Sequence, residues 1–199
     1  MSRIMLIFGT ALLALMAGAL FYAARIPVET AAPAPPPATS LEVVSHPAFT
    51  LPDLEGTARD FSDWDGRHRL LNFWATWCAP CRREIPLLKA FQEQHGDAGF
   101  QVLGIAVDFP EQVEKYAAEA GFNYPILVGE QDAMAVAESS GIEFIGMPFT
   151  MFVTRDGEYV GAYIGELHQS HLDDVVNILT RLDKGQITTD EARGALELL

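Results

Sequence analysis

The only two cysteines of the chain are separated by two residues in Trp77-Cys78-Ala79-Pro80-Cys81, directly after the apolar run Leu70-Leu71-Asn72-Phe73-Trp74. A short buried strand running into a turn and then a helix places the first cysteine at the positive end of the helix dipole. That end favours the thiolate, the form in which sulfur attacks. Arg82 and Arg83 fall in the first turns of the same helix and favour the same charge. Cys81 lies one helical turn from Cys78 on the same face, close enough to close a small ring with it. The spacing therefore predicts a two-step exchange in which thiolate Cys78 attacks a disulfide and Cys81 then resolves the mixed disulfide by attacking Cys78.

Inert uses of the pair fit less well. A structural disulfide gains most by joining distant segments, and this loop is too short to remove much chain entropy. A zinc site needs two further ligands, and the one close histidine pair, His168 and His171, is spaced more tightly than the usual finger pattern and lies far along the chain. His46, His68 and His95 are isolated and read as solvated surface residues.

The amino terminus bears on which redox states the pair can reach. Residues 4–24, Ile4 to Ala24, are uncharged and almost wholly apolar between Arg3 and Arg25, and about 20 such residues in a helix match the hydrocarbon core of a bilayer. Ala17-Gly18-Ala19 has the small-x-small form of a signal cleavage site, but the apolar run continues through Leu20-Phe21-Tyr22 and favours an uncleaved transmembrane anchor. Either way the rest of the chain is delivered across a membrane, where a disulfide persists. Residues 25–40, rich in proline and alanine, predict an extended linker. Residues 41–199 remain for one folded domain. A formal charge of −14 argues against nucleic acid as a partner, since that affinity comes from Lys and Arg on phosphates.

Within the domain the pattern is α/β. Phe49 to Asp53, with Gly56, predicts an extended segment and turn. Arg69 to Trp74 predicts a central strand covered on both faces and interrupted only by Asn72. The helix opened by Cys78 carries Leu87, Leu88 and Phe91 and an interior Pro86, which removes a backbone hydrogen bond and predicts a kink. Phe100 to Val107 is a second buried strand, so strand, helix and strand read as a right-handed parallel crossover. A helix over Pro110 to Ala120, a strand over Tyr124 to Val128 and a helix over Asp132 to Ser139 follow. Phe149 to Val153 and Tyr159 to Tyr163 form a hairpin about Asp156-Gly157. His171 to Leu182 is a closing helix, and Thr188-Thr189-Asp190-Glu191 starts a short C-terminal helical extension.

The stretch from Asn72 to Pro86 resembles the active-site region of the thioredoxin superfamily. More narrowly, it resembles the membrane-anchored extracytoplasmic oxidoreductases of the TlpA, ResA and DsbE type. The resemblance covers about Leu41 to Asp183. It implies a thioredoxin-like fold, a central mixed sheet flanked by helices, with a helix and strand inserted between Phe109 and Val128. It also implies a cis-proline at Met147-Pro148, where the sequence alone reads an ordinary trans proline at a strand start. A cis peptide there turns the chain back towards Cys78 and leaves the Met147 backbone free to pair with a substrate strand. Trp77, Pro80, Met147 and Pro148 are the implied substrate-binding residues, with Trp77 at the rim and Trp74 in the core. Glu84, which the sequence alone allows as a solvated helix carboxylate, is the implied proton handler beside the cysteines. Thioredoxin has a buried aspartate where this chain has Asn72, so that relay is missing and Glu84 becomes the better candidate.

The resemblance implies a disulfide reductase held by a single-pass anchor in the cytoplasmic membrane, with its catalytic domain in the periplasm or extracytoplasmic space. It would work as a monomer, with no metal or cofactor beyond the redox-active Cys78-Cys81 disulfide, and be kept reduced by a membrane electron donor of the DsbD/CcdA type. Implied substrates are oxidised cysteines of apocytochrome c, of a copper-site assembly protein or of misoxidised secreted proteins. A thiol oxidase or isomerase on the same fold differs in reduction potential, which Ala79-Pro80 does not fix. A metallochaperone holding Cu(I) on Cys78 and Cys81, with His168 or Met147, is the rival from another class. Peroxidase chemistry is disfavoured, because the resolving cysteine sits beside Cys78 and the chain holds no other cysteine.

Overall fold

A computed structural model describes residues 48–139 and 146–199, so the expected anchor over 4–24, the linker over 25–40, the domain start at Leu41 and His46 lie outside the described residues. Among the described residues no helix is long and apolar enough to cross a membrane. Strands β1 (Thr50–Pro52) and β2 (Ala58–Asp60) form a small antiparallel ribbon, and a short 3-10 turn over Phe61–Trp64 leads into β3 (His68–Trp74). There follow α1 (Ala79–His95), β4 (Phe100–Val107), α2 (Pro110–Ala120), β5 (Ile126–Gly129) and α3 (Gln131–Ser139). The described chain ends with β6 (Phe149–Val153), β7 (Tyr159–Ile164), α4 (Gln169–Asp183) and α5 (Thr189–Leu196).

The main sheet has five strands in the order β5-β4-β3-β6-β7. β3, β4 and β5 run parallel, β6 pairs antiparallel with β3, and β7 antiparallel with β6. The sheet is mixed, as the resemblance implied, and β3 at its centre is buried along its whole length. Side chains alternate between the faces of a strand, so Leu70 and Trp74 join the core built with α1, α4 and α5, while Leu71 and Phe73 join the core under the β1–β2 ribbon and α3. Asn72, in step with Leu70 and Trp74, faces α1. Its neighbour in register on β4 is Gly104, where an added Cβ would stand 2.6 Å from Ile126 Cδ1 and 3.2 Å from Trp74 Nε1. Glycine there leaves room for the Ile126 side chain and the Trp74 indole beside the strand.

Two sequence expectations are corrected at the start of β3. His68, read as solvated, is 0% exposed: it pairs with Phe100 in register, and its Nε2 stands 3.1 Å from both carboxylate oxygens of Asp183 at the end of α4. Arg69, placed in an apolar run, is also 0% exposed. Its guanidinium lies 4.2 Å over the Phe61 ring, donates to Asp65 at 2.7 Å and donates to the Thr154 carbonyl at 3.1 Å. A buried cation is tolerated when an aromatic face and acceptors replace its water. His95 is half-buried, its ring 4.8 Å from that of Phe91.

The C-terminal extension is packed into the domain. Thr188 and Glu191 form a capping box at the start of α5, and Ala192 and Leu196 are buried. Arg193 Nε donates to the Tyr159 carbonyl at 3.3 Å. β7 is an edge strand, and α5 lies against it and occupies part of the hydrogen-bonding row that an edge leaves open.

Candidate active site

The parallel register fixes which end of the sheet is chemical. β3 ends at Trp74 and the chain turns through Ala75 to Cys78, whose N–H donates to the Ala75 carbonyl at 3.2 Å. Cys78 is the N-cap of α1 in extended conformation, and its Sγ accepts the Cys81 N–H at 3.3 Å. A sulfur in the place where Ser or Asp would cap a helix receives one of the helix's unpaired donors directly. Pro80, in the first turn, removes no hydrogen bond because those N–H groups have no partner inside the helix. Cys78 and Cys81 are joined in a disulfide with Cα atoms 5.3 Å apart. Cys81 is 0% exposed and Cys78 5%, so the outer sulfur alone is open to attack.

The turn carrying Cys78 is held from the neighbouring strand. Asp108, buried just beyond β4, accepts from the Thr76 N–H at 2.9 Å, from the Thr76 hydroxyl at 2.6 Å and from the Phe109 N–H at 2.8 Å. The sequence reading missed this residue. The signal available was a lone acidic residue closing an apolar strand beside the one that leads to the cysteines.

Met147-Pro148 is a cis peptide, as the resemblance implied. β6 pairs Phe149 with Phe73, so Pro148 lies just past that pair, at the end where β3 runs out towards Cys78. Pro148 is buried and Met147 half-buried. The Pro148 carbonyl accepts from the Gly165 N–H at 2.9 Å, which ties this loop to the end of β7. Trp77 is 69% exposed and Trp74 1%, the rim and core positions expected of them.

Glu84 is a buried carboxylate at 1% exposure. Asn72 Nδ2 donates to its Oε1 at 2.8 Å and the Leu167 N–H to its Oε2 at 2.7 Å. The same Asn72 amide donates to Thr150 Oγ1 at 3.0 Å on β6. Burial raises the Glu84 pKa to about 7, and the two hydrogen bonds offset only part of that cost. Tyr124, pushed up first by its own burial, is raised further by the Glu84 charge. The strand position where thioredoxin keeps a carboxylate thus holds the amide that grips one.

Arg83 was expected to favour the Cys78 thiolate, but its Nε donates to both carboxylate oxygens of Glu166 at 3.1 and 3.0 Å. That pairing is the leading cause of the lowered Glu166 pKa. Arg82 stays exposed. The His168 and His171 rings lie tilted to one another with centroids 5.4 Å apart, and the His171 ring lies 4.3 Å from the Tyr163 ring. Among the described residues no group of three or more His, Cys, Asp or Glu side chains is placed to share a metal ion. The oxidised cysteines hold no thiolate for one.

A family model described as the AhpC/TSA family matches residues 44–161. Over 128 residues the chain is 32% identical to the thiol-disulfide oxidoreductase ResA of Geobacillus kaustophilus, covering 64% of this chain and 71% of that protein. A thioredoxin-family thiol:disulfide interchange protein from Chlorobium tepidum superposes with a TM-score of 0.60 at 26% identity, covering 68% of this chain and 93% of that one. A secreted thiol-disulfide isomerase from Corynebacterium glutamicum superposes with a TM-score of 0.60 at 26% identity, covering 69% of this chain and 84% of that one.

Proposed function

This chain belongs to the AhpC/TSA family and is a thiol-disulfide oxidoreductase, and we propose that it reduces protein disulfides on the outer face of the cytoplasmic membrane. The observation that carries this reading is the Cys78–Cys81 disulfide at the N-terminus of α1, its outer sulfur capping the helix and its inner one buried. In the reduced protein the Cys78 thiolate attacks one sulfur of the substrate disulfide. A Cys78–substrate bond forms, the substrate bond breaks, and the first substrate thiolate leaves and takes a proton from water. Cys81 then loses its proton and attacks Cys78 Sγ. The second substrate thiol is released, and the protein is left two electrons more oxidised.

Glu84 is the base for that second step. A buried thiol resists ionising, and the group that takes its proton must be half-ionised near neutral pH. Burial brings Glu84 there, to about 7. Asn72 suits both states of the carboxyl: its N–H groups serve the carboxylate, and its Oδ1, buried without a partner among the described residues, is placed to accept from the neutral acid once the amide turns over. Trp77, Pro80, Met147 and Pro148 form the surface against which the substrate chain lies, with the Met147 backbone pairing with it as an added strand.

The anchor over residues 4–24, a monomeric catalytic domain in the periplasm, a DsbD/CcdA-type donor and substrates in cytochrome c maturation or copper-site assembly complete the proposal. Reduction of insulin disulfides together with a redox titration of Cys78–Cys81 tests it. A potential near that of thioredoxin, about −270 mV, is expected, and one near that of DsbA, about −120 mV, would make the protein an oxidase.

A further inference from the structure

We propose that Arg83 and Glu166 are positioning residues for the resolving step: their ion pair neutralises a charge beside Glu84 and pins the peptide unit whose N–H holds the Glu84 carboxyl. The inference rests on the reading of Glu84 as the base of that step and adds what governs when the base is ionised. Gly165, Glu166 and Leu167 run between β7 and the start of α4, and two consecutive residues of α1 grip them. Arg83 Nε donates to both carboxylate oxygens of Glu166 at 3.1 and 3.0 Å, and Glu84 Oε2 accepts the Leu167 N–H at 2.7 Å. Consecutive helix residues point to different faces, so Glu84 is 1% exposed while the Arg83 side chain is 61% exposed. One grip is in the core and the other on the surface.

The two grips meet in one peptide unit. The Leu167 N–H belongs to the planar group that joins Glu166 to Leu167, so a forked Arg83 contact that holds Glu166 also sets where that N–H aims. The segment is fixed on both sides of this unit: the Gly165 N–H donates to the Pro148 carbonyl at 2.9 Å, and the Leu167 side chain is buried in the core. Between those two points the Arg83 fork orients the Glu166 peptide.

Charge gives the pair its second effect. A carboxylate on the residue next to the one Glu84 binds opposes ionisation of Glu84, and the Glu166 charge does raise the Glu84 pKa. The groups that touch Glu84 do not cancel it: Asn72 and Leu167 are neutral donors, Cys81 is held in the disulfide, and Tyr124 is itself pushed up by burial and by Glu84. Arg83 is the cation whose hydrogen bonds to Glu166 lead in lowering the Glu166 pKa, with His168 acting in the same sense. An exposed ion pair adds little stability. Its place beside a buried acid is what calls for a function.

In the resolving step the Cys81 proton passes to the Glu84 carboxylate, a Cys81–Cys78 bond forms, the Cys78–substrate bond breaks, and the substrate sulfur leaves as a thiolate with that bond's electron pair. Ionised Glu84 takes the proton and neutral Glu84 does not, so anything that raises its pKa defers resolution to higher pH. The Arg83–Glu166 pair keeps the base ionised at a lower pH than the Glu166 charge alone would allow.

The test titrates Glu84 in the oxidised full-length protein in detergent by carboxyl carbon NMR, its resonance identified by loss in Glu84→Gln, and follows the resolving rate against pH. For the rate, reduced protein meets one equivalent of an aromatic disulfide whose thiolates absorb light. Attack by Cys78 releases the first thiolate and attack by Cys81 the second, so one reagent disulfide yields two thiolates and the Cys78–Cys81 disulfide. Arg83→Gln should move the Glu84 midpoint and the rate limb up by on the order of half a pH unit. Glu166→Gln removes the repulsion and frees the Arg83 charge, and should move both down by less than that. Arg83→Lys, which keeps the charge and loses the fork, should recover most of the Arg83→Gln shift. The opposite signs are decisive, because a pair that merely braced the loop would move both variants the same way. Midpoints that stay in place in Arg83→Gln and Glu166→Gln, or that move together, would overturn the inference and leave the oxidoreductase reading standing. A rate limb that persists in Glu84→Gln would remove Glu84 as the base, and the inference with it.

Discussion

The two ends of β3 each bury an ionisable group, and burial has opposite results. At the chemical end Glu84 faces only neutral donors, the Asn72 amide and the Leu167 N–H. With no cation among the described residues to hold its charge, desolvation dominates and its pKa rises to about 7. At the far end His68 faces the Asp183 carboxylate, which is shared with Arg155. Desolvation dominates again and lowers the His68 pKa, against the pull of Asp183. One group is brought into the range where it exchanges protons at neutral pH. The other is kept neutral there, a fixed hydrogen-bonded clamp between β3 and α4. A neutral partner makes a buried acid a proton carrier, and a burial-neutralised base becomes a strut.

The largest expected effect separates the ends outright. Cys78→Ser should abolish disulfide reduction in an insulin assay, whereas His68→Gln, at the other end of the strand, should leave the rate constant unchanged in the protein that remains folded. Cys81→Ser should instead stall on Cys78 as a mixed disulfide, visible as a substrate adduct by mass spectrometry under non-reducing conditions. A Cys81→Ser protein that released its substrate normally would remove the resolving role.

The next effect concerns pH. An acid whose folded pKa is raised binds its proton more tightly when folded, so Glu84 costs nothing below about pH 4.5 and costs stability increasingly as pH rises towards about 7. The full cost, on the order of 3 kcal/mol, persists above that. Glu84→Gln should flatten this part of a urea-unfolding profile and stabilise the protein at pH 8. It should also remove the limb near pH 7 from the rate of the resolving step. A profile that keeps both features would deny Glu84 its buried-acid character. His68 has the opposite sign: its folded pKa is lowered, so its contribution is present above about pH 6.5 and fades as pH falls through the folded value. His68→Gln should therefore blunt the loss of stability on acidification.

A smaller effect divides the Asn72 network. Thr150→Val removes an acceptor from the Asn72 amide and should cost about 1 kcal/mol of stability. It should also shift the pH midpoint of the Glu84 limb, because the amide would be less firmly held. Thr150→Ser should restore both.

Much of the fold was legible along the chain. The strand over Phe100–Val107 and the helix over Pro110–Ala120 have the predicted ends, because an apolar run bounded by glycine and proline leaves few alternatives. The hairpin of β6 and β7 was marked by alternation and by Asp156-Gly157, whose glycine takes φ 86°. β3 was found but its contents were misread: burial of His68 and Arg69 depends on Asp183, Phe61 and Asp65, partners that no periodicity reveals. Cys78, Cys81 and the Trp77 rim were plain in the motif. Asp108 was not, because its meaning lies in Thr76, in the turn that follows the neighbouring strand.

The sequence by itself determined that two cysteines would meet at the start of a helix, since strand, turn and a spacing of one helical turn are local properties fixed within a dozen residues. Only the tertiary structure decided what surrounds them. Parallel pairing of β3 with β4 brought Asp108 under Thr76, the alternation of β3 aimed Asn72 at α1, and the return of the chain after β7 laid the Leu167 N–H on Glu84. Water is removed from Glu84 by segments up to 83 residues away in the chain, and desolvation, the cause of its altered proton affinity, belongs to packing rather than to any stretch of sequence.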